Sequence, residues 1–169
     1  MRIFIRGHEQ VNLGNCNLSP LTIGIIANVL RYLKTAGVPF DVHVCKKKYI
    51  EIILPLNLNT SAKVWGSGDY VYIVLPPIEK SLMLLDVLRR LIMFDRCLEQ
   101  KTISYRDVIR ENSALTGISI DLYNIARLVK ACPESGRNLV NILLSGLSKI
   151  NKVLTDIASL VLDSYLKFI

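Results

Sequence analysis

The sequence predicts an α+β protein: a small mixed or antiparallel β-sheet with one packed helix, followed by a C-terminal helical bundle. Three observations carry this prediction. Residues 1–77 hold short β-branched runs with period-two alternation around a single run of helical spacing. Pro76-Pro77 closes that region. Residues 78–169 then repeat apolar positions at helical spacing. The expected organisation is a sheet domain over 1–77 and a helical domain over 78–169, with an oligomerisation helix over 138–168.

Arg2-Ile3-Phe4-Ile5-Arg6 reads as a first strand that Gly7 ends, and Val11-Asn12-Leu13 as a short second piece. Asn12, Gly14, Asn15 and Asn17 make a turn region. Ser19-Pro20 opens a helix: Ser is a good N-cap, and Pro at the first position lacks an N–H that would lack a partner anyway. Ile23, Ile26, Ala27, Leu30 and Leu33 give its apolar face, and Gly37 with Pro39 stops it. Residues 40–45 and 49–54 alternate as a hairpin joined by Lys46-Lys47-Lys48. Lys63-Val64-Trp65 reads as an edge strand, Gly66-Ser67-Gly68-Asp69 as a turn, and residues 70–75 as the last strand.

The second half reads as helix throughout: 78–100, 104–112, 119–131 capped by Ser119, and 138–168 bending at Gly146. Arg89, Arg90, Arg96, Lys101, Arg106, Arg110, Arg127 and Lys130 form a basic series on these helices. Residues 105–123, with Gly117 at the turn, fit a helix-turn-helix, although Asn112 and Thr116 fall where that motif prefers apolar side chains. Leu147, Ile150, Leu154, Ile157 and Val161 step by three and four, a heptad seam for a dimer or a protein partner.

Hydrophobic residues make up 51% of the 169-residue chain and charged residues 21%, which excludes a disordered chain. Mean hydropathy is +0.36 while the net charge is +7. That combination points to a subunit interface together with an anionic partner. Residues 1–84 carry 9 basic and 5 acidic side chains and residues 85–169 carry 12 and 9, so an anionic site must come from folding, not from a basic tail. The MRIFIRG start does not read as a signal peptide, and no apolar run reaches transmembrane length. Cys16, Cys45, Cys97 and Cys132 are widely and irregularly spaced, which reads as reduced, buried thiols in a cytoplasmic protein. The sharper alternative, zinc held by His8, Cys16, His43 and Cys45, matches no structural zinc spacing. His8, Glu9 and Cys16 are the nearest approach to a catalytic set. No nucleophile elbow, zinc-protease motif or phosphate loop is present, so no enzyme activity, metal or cofactor is expected.

The strongest functional signal is basic and aromatic. Tyr70 and Tyr72 are two apart on one strand and project from one face, with Trp65 just upstream. Lys46, Lys47, Lys48, Tyr49 and Lys63 ring that face. Aromatic rings stack on bases and ammonium groups meet phosphates, so the expectation is single-stranded DNA or RNA binding without catalysis. The alternatives are an assembly subunit working through its helical half, and a basic peripheral-membrane protein of the viral-matrix kind. Residues 11–53, with Asn15, the helix over 21–34, Gly37 and the hairpin ending Tyr49-Ile50-Glu51-Ile52-Ile53, resemble the helix–hairpin half of LAGLIDADG homing endonucleases. The acidic helix that defines that family is missing, and the resemblance transfers no catalytic residue.

Overall fold

The computed structural model describes residues 2–3, 16–46, 49–57, 59–112 and 117–169. The chain forms two compact units, residues 1–74 and 75–169, and the fold is α+β with a helical C-terminal part.

In the first unit, strands β1 (Arg2–Ile3), β2 (Asp41–Lys46), β3 (Tyr49–Pro55), β4 (Ser61–Ser67) and β5 (Tyr70–Leu75) pair in sequence order, all antiparallel. Alternation sorts their side chains: Val42, Ile50, Ile52, Ala62, Val64 and Ile73 are fully buried on one face. Helix α1 (Pro20–Thr35) buries Ile25, Ile26, Val29 and Leu33. Gly66 permits its approach to the sheet, because a Cβ there would sit 3.2 Å from the Ile26 side chain and 3.0 Å from Ile50. The helix begins as expected, with Ser19 Oγ accepting from the Thr22 N–H at 3.2 Å and Pro20 at the first position. Gly37 beyond its end has φ +68°, a conformation that favours glycine. The Ser19 N–H donates to the Gly68 carbonyl at 3.0 Å, which ties the start of α1 to the β4–β5 turn. β4 is an inner strand paired on both sides, not the edge strand expected from Lys63-Val64-Trp65. The short strand piece at residues 11–13 lies outside the described residues.

In the second unit the helical reading needs correction. The expected helix over 78–100 is two: α2 (Glu79–Met93) and α3 (Arg96–Gln100), separated at Asp95, whose carboxylate accepts from the Leu98 N–H at 3.0 Å. The expected helix over 104–112 is a 3₁₀ turn (Tyr105–Asp107) followed by strand β6 (Ile109–Asn112). β6 pairs antiparallel with β7 (Gly117–Asp121), so residues 105–123 are not a helix-turn-helix. Both segments are too short for a 3.6-residue period to declare itself, and β-branched Ile109, Ile118 and Ile120 suit a strand. The N-cap of α4 (Leu122–Ala131) is Asp121, not Ser119, which lies in β7. The last helical stretch divides at Asn151 into α5 (Pro133–Ile150) and α6 (Lys152–Phe168). Asn151 is extended, and its side chain accepts from the Val153 N–H at 2.8 Å. Gly146 makes no bend; it lies inside α5 where a Cβ would collide with Leu84 of α2.

The cysteines also depart from expectation. Cys97 and Cys132 form a disulfide between α3 and the α4–α5 junction, and Cys16 is disulfide-bonded as well. Folding brings two positions 35 residues apart to a Cα separation of 6.0 Å, which their spacing could not reveal. The expectation of four reduced thiols is therefore overturned. No helix among the described residues is long and apolar enough to cross a membrane.

Candidate nucleic-acid interface

The face of the sheet opposite Val42, Ile50, Ile52, Val64 and Ile73 carries the candidate residues. The antiparallel register sets His43, Glu51, Trp65 and Tyr72 in one cross-strand row on β2 to β5. Side chains two residues away share the face: Tyr49 on β3, Lys63 on β4 and Tyr70 on β5. The rings gather in two pairs. Tyr49 and Trp65 have centroids 4.5 Å apart at a 50° tilt, and Tyr70 stacks on Tyr72 at 6.0 Å and 22°. Tyr70 is 37% exposed; Tyr49, Trp65 and Tyr72 are half-buried. The Trp65 Nε1–H is shielded from solvent and has no acceptor among the described residues.

A charged trio completes the row. Glu51 is buried, yet its carboxylate is 2.8 Å from Lys63 Nζ and 3.5 Å from His43 Nδ1. Lys63 therefore neutralises Glu51, and its first task is to make that buried charge tolerable. Sequence reasoning did not assign Glu51 and His43 to this row. Alternation places both on the outward face, but only the register sets them opposite each other. Lys46 ends β2 as the register partner of Tyr49. Lys47, Lys48 and His8 lie outside the described residues.

The expected oligomer seam lies inside the second unit. Leu147, Leu154, Ile157 and Val161 are fully buried and Ile150 half-buried, with α6 packed on α4 and α5. Part of the basic series does gather. Arg89 lies 4.9 Å above the Tyr105 ring and Arg106 lies 5.9 Å from it. With Arg110 and Asp107 they line a cavity of about 540 Å³. Nearby, burial pushes the Asp121 carboxyl up to about 6, opposed by the Asn124 N–H and by the charges of Arg110 and Arg127. Among the described residues, no three His, Cys, Asp or Glu side chains gather as a metal site. Cys16, held in a disulfide, offers neither a thiolate ligand nor a nucleophile.

The chain matches no protein-family model, no curated protein and no solved structure.

Proposed function

We propose that this protein binds single-stranded DNA or RNA, without catalysing a reaction, through the outward face of its first sheet. One observation carries the proposal: the register collects Tyr49, Trp65, Tyr70 and Tyr72 on a single face. Every base has a π-face, so such a platform stacks bases with little regard for sequence. The Lys46-Lys47-Lys48 segment between β2 and β3 supplies charge for the phosphates, within a unit of eight basic and four acidic side chains. Lys63 contributes by holding Glu51, which keeps the row in place.

The chain has one tryptophan, so Trp65 reports on its own site. Adding oligo(dT) or oligo(U) at low salt should quench its fluorescence and raise the anisotropy of a labelled strand. Replacing Tyr70 and Tyr72 together by Ala should weaken binding roughly tenfold or more, since each stacked base contributes about 1–3 kcal/mol. Binding should also weaken steeply with salt. No anisotropy change with any DNA or RNA at low salt overturns the proposal.

A second reading, an assembly subunit engaging another copy or a protein partner through its helical half, is favoured by the exposed apolar side chains of α2, Met83 and Val87 among them.

A further inference from the structure

We infer that the outward face of α2 docks antiparallel against α2 of a second copy of this chain, across a two-fold axis opposite Leu88. The inference deepens the second reading by naming the partner and the surface, and it is independent of the nucleic-acid proposal.

Helix α2 buries Leu84, Leu85, Leu88 and Ile92 in its own unit. Its other side mixes charged with apolar side chains. Met83 is 62% and Phe94 82% exposed, and Leu82, Val87 and Met93 are exposed with them. These crowd into one short segment instead of scattering singly, as isolated surface apolar residues do. Met83, Asp86, Arg90 and Met93 step by three, four and three, the spacing of a helix–helix seam. Met83 and Val87 also form one wall of a groove of about 330 Å³, with Ile142 and Gly146 of α5 opposite, so the apolar surface continues beyond the helix.

The order of residues identifies the partner. Leu82 and Phe94 are equidistant in sequence from Leu88; so are Met83 and Met93, and so are Asp86 and Arg90. An antiparallel two-fold contact pairs position i with j and j with i. About Leu88 it sets apolar against apolar at both ends. In the middle, Asp86 faces Arg90 of the second copy twice over. A copy running antiparallel meets this pattern with matched charge. Within one chain Asp86 Oδ2 and Arg90 Nη2 are 3.2 Å apart, both more than half exposed. An exposed pair of that kind contributes little to the isolated helix, so exchanging partners across the axis sacrifices little.

Sedimentation velocity of the full chain over a range of concentrations tests this. The expected result is a reversible monomer–dimer equilibrium. Asp86→Arg should weaken it about a hundredfold by setting Arg against Arg across the axis. The double swap Asp86→Arg with Arg90→Asp should restore it, because the two-fold pairs the exchanged charges again. Both positions are exposed, and circular dichroism should show the fold intact. A dimer equally strong in the single and double variants overturns the α2 contact while leaving self-association standing. A monomer at every concentration overturns both.

Discussion

Asp121 closes the N-terminus of α4 with one carboxylate oxygen accepting from the Asn124 N–H at 3.0 Å and the other from the Asn124 side-chain amide at 2.9 Å. Burial raises its folded pKa to about 6, above the ordinary carboxylate value near 4. The folded state thus holds the proton more tightly than the unfolded chain. This contribution to stability is complete below about pH 4 and lost as pH rises through about 6. Asp121→Asn keeps an acceptor for the helix N–H and removes the buried charge. Urea unfolding of both proteins should show the variant gaining on the native protein between pH 4 and about 6 and holding the gain above. A difference independent of pH would refute this. Glu51 has partners of another kind: its buried carboxylate lies 2.8 Å from Lys63 Nζ and 3.5 Å from His43 Nδ1, both on neighbouring strands. Sequence alternation assigned Lys63 and Trp65 to one face, but the 2.8 Å pairing of Lys63 with Glu51 followed from strand register alone.

At the scale of elements, helix contacts rest on close approach. Gly136, buried in the first turns of α5, faces α4, and a Cβ there would lie 2.5 Å from the Val129 Cα. That atom is backbone and has no rotamer by which to retreat. Gly136→Ala should therefore destabilise the protein by about 1–3 kcal/mol despite the better helix propensity of Ala, measured by thermal or urea unfolding. An unchanged midpoint would show that α4 and α5 can separate freely. Helix ends were legible where a capping pair sat beside a clear pattern, as at Ser19-Pro20. They were lost at Asp95 and Asn151, where a single capping side chain interrupts an unbroken apolar rhythm. The β6–β7 hairpin was lost for a related reason. Its strands are four and five residues long, and only their mutual pairing distinguishes them from pieces of helix.

For the whole molecule, the disulfide from Cys97 to Cys132 closes a loop of 35 residues in the second unit. Replacing both by Ser should lower unfolding stability by roughly 2–4 kcal/mol, because the unfolded chain regains the freedom the crosslink removes. Reduction should lower the melting temperature of the native protein by more than that of the double variant, in which the disulfide at Cys16 remains to be reduced. Equal stability of the two would mean that the unit is held by packing alone. The apolar surplus in the composition also finds its place at this scale. The heptad run, divided between α5 and α6, fills the interior of the second unit, whereas α2, interrupted by Asp86, Arg89 and Arg90 in sequence, leaves Met83, Met93 and the following Phe94 exposed.

The sequence by itself determined the fold class, the strands expected at 40–45, 49–54 and 70–75 to within a residue of β2, β3 and β5, the helix opened by Ser19-Pro20, and the shared face of Tyr70 and Tyr72. Each follows from spacing along the chain or from the steric needs of one or two residues. The tertiary structure alone decided which helices break, which cysteines bond, that Glu51 answers Lys63, and which apolar face stays exposed. Those outcomes depend on distances between residues far apart in sequence. Periodicity can show that a helix has an apolar side, but not whether its own chain will cover it.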